Sequence, residues 1–332
     1  MTDVRGLVRT TRSAATFCLG VSLIANVFFA SSMLDDLNLM LMVGVIALSF
    51  AASTGSSRVI GILLFGSSIA LLLHSQAPLD VWKQALRENS YLIAMFVLVP
   101  LLSIPVQHGG YGESLREVFV RYANTDSRYY ALVSIMAAFV GVLISIAAVP
   151  LTYEVSRASG CNYDEKLLAS ALSRGFITCM IWAPTSATIA LVVQLTGVDW
   201  VAFFPFAIAC ALIAGAVGFL MTFVRDEAAK ASSDEAEAPA GKIDAGKVVE
   251  LSAFAFLLVV SVAATSQLGG LSAIVVVAMA SLVFPVAWMA AIGRLPTYAR
   301  EFRGDYFNNK LPQSKNQIVL FAGAGFFAQS IG

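Results

Sequence analysis

The stretch Met180–Val193, MIWAPTSATIALVV, lies in an apolar run yet carries a proline followed at once by Thr185, Ser186, Ala187 and Thr188. Proline removes a backbone donor and clashes with the preceding helical turn. In hydrocarbon every backbone group must be satisfied internally, so irregular backbone persists only where it is buried in protein or faces a wet cavity. If the surrounding sequence crosses a bilayer, this stretch predicts a broken membrane helix lined with hydroxyls.

The composition supplies that condition. The chain is 58% hydrophobic and only 13% charged, with a mean hydropathy of +0.80, against roughly 25% charged residues in a soluble domain. A bilayer core takes about 20 apolar residues per helical span, and such runs recur along nearly the whole chain. The runs are continuous rather than alternating, which excludes a β-barrel. The fold class is therefore an all-α polytopic membrane protein.

The formal net charge is zero, so no global field points to nucleic acid or anionic lipid as a partner. Cys18, Cys161, Cys179 and Cys210 are scattered without CxxC spacing, and at least three of them read as small apolar fillers. His74 and His108 form no zinc motif, so no metal site is expected. There is no GxxxxGK[ST] sequence, and the acidic residues lie in loops or at span edges. A non-enzymatic function is expected, with a membrane-embedded lipid-handling protein or enzyme as the alternative.

Nine spans are expected: Ser13–Met33, Leu37–Ser53, Val59–Leu73, Tyr91–Val106, Tyr130–Leu151, Leu167–Thr196 with an interruption, Trp200–Val224, Leu251–Thr265 and Leu271–Ile292. The first apolar core exceeds the roughly 7–15 residues of a secretory signal, which favours a retained span with a cytoplasmic N-terminus. One segment must return to its own side, and two choices fit the positive-inside rule. If it is Leu167–Thr196, then Lys83, Arg87, Arg157 and Lys166 lie outside; if it is Tyr91–Asn124, then Lys83, Arg87, Arg116, Arg121 and Arg128 do. Arg174 falls within the membrane in both.

Residues 225–249 read as a polar cytoplasmic linker, and the chain divides into repeats at 1–199 and 200–332, with amphipathic arms at 77–88 and 295–309. Each arm leads into an apolar run that closes on Gln and Gly. At one common offset Val97, Leu98, Gln107 and Gly110 fall on Val319, Leu320, Gln329 and Gly332. The arms come out on opposite sides of the membrane, the pattern of inverted repeats. After Gln329 the second repeat stops, which makes it a truncated copy in this reading and leaves an inactive carrier fragment as a further alternative.

The substrate site is expected at the break, from Pro184, Thr185, Ser186 and Thr188, with Arg174 ten residues earlier as partner for an anion. The bland reading is a Pro kink with hydroxyls bonded to their own helix and Arg174 snorkelling to the interface. A second candidate is Gln107, His108, Gly109 and Gly110, echoed by Gln329 and Ser330 near the C-terminus; its bland reading is an interfacial turn.

The arms PLDVWKQALRE and PTYAREFRGDY, the inverted repeats and the break WAPTSAT resemble the ion transporter superfamily, the citrate, dicarboxylate and arsenite carriers. Such carriers show Ser-Asn-Thr at hairpin tips, where this chain has Pro-Thr-Ser-Ala-Thr and Gln-His-Gly-Gly. The resemblance implies an elevator-type secondary carrier in a plasma (inner) membrane, moving a small anionic solute. It is compatible with Na+ or H+ coupling and with a homodimer, and implies no cofactor.

Overall fold

A computed structural model describes residues 2–159, 164–230 and 245–331. Helix accounts for 89% of the chain and no strand occurs among the described residues. In chain order the helices are α1 (Thr2–Phe29), α2 (Ser32–Ala52), α3 (Ser56–His74), α4 (Leu79–Arg87), α5 (Ser90–Leu98), α6 (Ser103–His108), α7 (Tyr111–Tyr122), α8 (Asp126–Ile144), α9 (Ala148–Ala158), α10 (Glu165–Trp182), α11 (Ala187–Thr196), α12 (Trp200–Lys230), α13 (Ala245–Gly269), α14 (Ala273–Ala291), α15 (Leu295–Glu301), α16 (Leu311–Gln313) and α17 (Lys315–Ile331). A 3-10 turn, Val99–Leu102, joins α5 to α6, and a π-helix, Phe302–Lys310, joins α15 to α16.

Among the described residues nine helical segments are long and apolar enough to cross a membrane, and each overlaps one of the nine expected spans. Two boundaries need correction. Tyr130–Leu151 is not one span, because α8 ends at Ile144 and Ser145 adopts φ 51°. The linker is shorter than 225–249, since α12 continues to Lys230 and α13 starts at Ala245; its middle, 231–244, lies outside the described residues, as do Cys161 and Gly332.

The fold has two compact units that cut the chain differently from the expected repeats. The first comprises Met1–Leu101, Ser281–Val283 and Leu295–Gly332. Here α1 and α2 form an antiparallel hairpin tied by Asn26 Nδ2 donating to Asp35 Oδ1 at 2.8 Å. Both arms belong to this unit. Arm α4 follows Pro78 and buries Ala85 against Leu72 and Phe326. The other arm carries Tyr298, Phe302 and Tyr306 at four-residue spacing, so the rings stack with centroids 6.0 and 5.5 Å apart. Phe17 meets the last two edge-on. Burial raises the Tyr306 phenol pKa well above its ordinary value, so it stays a donor, and its hydroxyl bonds the Val97 carbonyl at 2.8 Å. The helices after the arms also meet: Asn89 Nδ2 donates to the Phe321 carbonyl at 2.7 Å, and the Phe96 and Phe321 rings are 4.6 Å apart.

The second unit comprises Leu102–Ala280 and Phe284–Arg294. Its core is the pair α8 and α10. Glycines allow the close approach: a Cβ on Gly175 would lie 2.6 Å from Ser134 Cα, and one on Gly141 would lie 2.9 Å from Cys179 Sγ. Thr125 caps α8 and Asp164 caps α10, accepting from the Arg128 and Lys166 amides, which satisfies donors that a helix start leaves open. Side-chain contacts link Ser134 to Ala171 and Thr185 to Val142, so α8 and α10 run parallel. By contrast α12 runs antiparallel to both, beginning where Trp200 Nε1 donates to the Trp182 carbonyl at 3.1 Å.

Candidate functional site

The break at Pro184 is present and has a local cause. A residue before proline is pushed out of helical geometry, and Ala183 sits at φ −68°, ψ 127°. Its amide still closes the last turn of α10 on the Cys179 carbonyl, and α11 restarts behind Ser186, whose carbonyl accepts from the Ala190 amide. Pro184, Thr185 and Ser186 are buried, whereas Thr188 is exposed on α11.

A second break faces the first. The last carbonyls of a helix lack intrahelical partners, and Val142 lies in the last turn of α8. Thr185 reaches across to donate its hydroxyl to that carbonyl at 2.5 Å. Beyond Ile144 the chain turns through Ser145 at φ 51°, ψ −131°, a conformation costly for a residue with a Cβ, and α9 begins three residues later. The parallel helices α8 and α10 thus end side by side, and two new helices start beside those ends. Such ends carry opposite partial charges.

The direction of α9 follows from its contacts. Near the start of α8, Tyr129 exchanges a 2.5 Å hydrogen bond with Ser156 near the end of α9, both buried. Ala158 accepts from Arg116 of α7 at 3.3 Å, and Arg157 pairs with Glu165 at the start of α10 at 2.9 Å. So α8 and α9 form a hairpin whose ends lie at the same end of the unit and whose tip is Ile144–Ala147. This hairpin, Asp126–Ala158, reverses inside the stretch that the sequence reads as one span, Tyr130–Leu151. Within it Thr152 is fully buried and its hydroxyl has no hydrogen-bond partner.

Arg174 does not join the break. Eight residues of helix, about 12 Å, separate it from the end of α10 at Trp182, with Pro184 beyond, and its side chain is exposed. The turn at Gln107–Gly110 is anchored rather than open. Gly110 takes φ 90° and Gly109 is buried against Tyr111, while the His108 carbonyl accepts from Arg294 Nη1 at 2.6 Å. Next to it, Tyr111 donates to Glu250 at 2.7 Å and accepts from Trp288 Nε1 at 2.8 Å; Lys247 pairs with Glu250 at 2.9 Å. Burial first, and the bond to Glu250 second, raise the Tyr111 phenol pKa. In the first unit Gln329 donates to Glu88 at 2.7 Å and Ser330 to the Phe327 carbonyl at 2.7 Å.

No protein-family model, curated protein or solved structure matches the chain.

Among the described residues no group of three or more His, Cys, Asp and Glu is placed to hold a metal ion. The groups missed from sequence are Ser145, Tyr129, Thr152 and Ser156 of the hairpin, and the partners Glu250, Trp288 and Arg294 of the turn. Pro150 was the one local signal for the hairpin, because proline is tolerated in the first turn of a helix and not in its middle.

Proposed function

We propose that the chain is a secondary active carrier for a small anionic solute, driven by Na+ or H+ and related in architecture to the ion transporter superfamily. The observation that carries this reading is the meeting of two helix interruptions, at Ser145 and at Pro184, in apolar segments of membrane length, with Thr185 bridging them to Val142. Discontinuous helices place amide-rich starts and carbonyl-rich ends at one point, so an anion and a cation find partners there without a dedicated charged side chain. The reading centres the site on Ser145, Thr185 and Ser186, with Pro184 shaping it. Arg174 and Gln107–Gly110 move out of it.

Charge supports the orientation. With α8–α9 as the hairpin and the N-terminus cytoplasmic, every Lys and Arg falls on the cytoplasmic side except Lys83, Arg87 and the intramembrane Arg174. That is a sharper asymmetry than either sequence-based choice allowed. Inverted repeats are supported by the packing of α5 on α17, the helices that the repeat offset pairs. An elevator movement of the broken-helix unit in the inner membrane completes the proposal.

Ligand-dependent stability tests it. A solute that binds only the folded carrier at a hundred times its Kd stabilises it by about 2.7 kcal/mol. Purified protein is melted with a panel of di- and tricarboxylates, in Na+ and in choline, at pH 5.5 and 7.5. At least one anion is expected to raise the midpoint in a cation-dependent manner, and no shift across the panel contradicts the reading.

A further inference from the structure

Between α8, α10 and α12 lies a cleft of about 470 Å³, inside the second unit and within three membrane-length helices. Its size is that of a ligand site. Its width comes from small residues, among them Ala138, Gly175, Ala211 and Gly215, and Tyr130 and Trp182 mark its two ends. A Cβ added at Gly215 meets no atom within 4 Å, so that glycine borders empty space.

The cleft offers a guest little to hydrogen-bond. Of its three hydroxyls, Ser134 already donates to the Ala171 carbonyl at 3.1 Å and Thr178 to the Arg174 carbonyl at 2.8 Å, which leaves the Tyr130 hydroxyl at one end of an otherwise apolar lining. An occupant must therefore be apolar over most of its length. At one edge the chemistry changes. Arg174 precedes Thr178 and Trp182 at four-residue spacing along α10, so it continues the lining stripe by one turn and its side chain is exposed. Side chains lean toward the N-terminus of their helix. The guanidinium consequently points from the cleft toward the start of α10, where the charged residues Asp164, Glu165 and Lys166 lie.

We infer that the cleft holds one acyl chain of an anionic phospholipid from the surrounding bilayer, with the Arg174 guanidinium on the headgroup phosphate. An apolar slot open along one side, with the Arg174 guanidinium one turn beyond its lining, complements an amphiphile with one negative head. Guanidinium pairs with phosphate by charge-assisted, bidentate hydrogen bonds. The inference does not depend on the carrier reading. It also accounts for an arginine well inside a span, which is costly without an anionic or wet partner.

Native mass spectrometry of the purified protein, titrated with phosphatidylglycerol and with phosphatidylcholine of the same chains, tests it. The wild type is expected to hold one phosphatidylglycerol about tenfold more tightly than phosphatidylcholine, from the charge-assisted contact. Arg174→Gln should erase that preference and Arg174→Lys should keep part of it. Gly215→Phe fills the slot and should abolish the tight site for both lipids; Gly215→Leu is the milder variant should the first not fold. Unchanged phosphatidylglycerol binding in the Gly215 variants, or no headgroup preference in the wild type, overturns the inference. So does a tight site that takes palmitate and not phosphatidylglycerol, which would name a free fatty acid as the occupant.

Discussion

Replacing Thr185 by Val keeps the β-branched shape and removes one hydroxyl, so it isolates the contact between the two broken helices. In the wild type that hydroxyl is 2.5 Å from the Val142 carbonyl and the residue is 2% exposed. Loss of the donor leaves a carbonyl in the last turn of α8 without this partner, in a setting where water does not readily replace it. Such a buried unpaired group costs roughly 1–3 kcal/mol. For a unit of 150–250 residues each kcal/mol moves the thermal midpoint by roughly 2–4 °C, so the expected drop is roughly 2–12 °C. Thr185→Ser keeps the hydroxyl and gives up one methyl group, about 0.8 kcal/mol, and should fall between wild type and Thr185→Val. The assay is thermal unfolding in one detergent, followed by fluorescence of a thiol-reactive dye on the buried Cys179, in a background where Cys161 and the exposed Cys18 and Cys210 are replaced by Ser. A Thr185→Val protein as stable as wild type would refute the bridge, and so would a Thr185→Ser protein damaged as much as Thr185→Val.

Sidedness comes next. In a cysteine-free background Tyr122→Cys and Ala158→Cys should both react with an impermeant thiol reagent from the cytoplasmic side, and Val198→Cys only from the other; Tyr122 and Ala158 on opposite sides would dismantle the α8–α9 hairpin. The second concerns alkali. Burial pushes the Tyr298 phenol from 10.0 up to about 12, so its neutral form is favoured in the folded state. The stability this confers is whole below pH 10 and is lost as pH rises through 12. Tyr298→Phe should therefore lose less midpoint between pH 9 and pH 11.5 than wild type; equal losses would show that Tyr298 does not titrate with folding.

Most of the helical framework was legible because a membrane span is a property of length and apolarity, and both are local. Pro184 was legible for the same reason: its effect is confined to Ala183 and the turn before it. Ser145 was not, since Ile144-Ser145-Ile146-Ala147-Ala148-Val149 reads as uninterrupted hydrocarbon, and a run of apolar residues carries no record of where the chain reverses. The reversal is set by Tyr129 meeting Ser156, residues 27 apart. Thr185 was picked for its hydroxyl, but its partner is a backbone carbonyl 43 residues away. Arg174 was drawn into the site by closeness in sequence, and the rise of a helix separates them. Lys247 and Glu250 lay at the edge of a polar stretch that reads as linker, which hid their role in fixing Tyr111 beside the Gly109-Gly110 turn.

Electrometry on proteoliposomes measures solute movement directly. Purified protein is reconstituted into sealed vesicles on a solid-supported membrane, and carboxylate anions are applied under an inward Na+ gradient or an inward H+ gradient. A carrier of this kind gives a transient current for at least one anion that requires one of the two gradients, is saturable, and is reduced in Thr185→Val. Folded, correctly inserted protein that gives no anion-dependent current under either gradient would contradict the carrier reading.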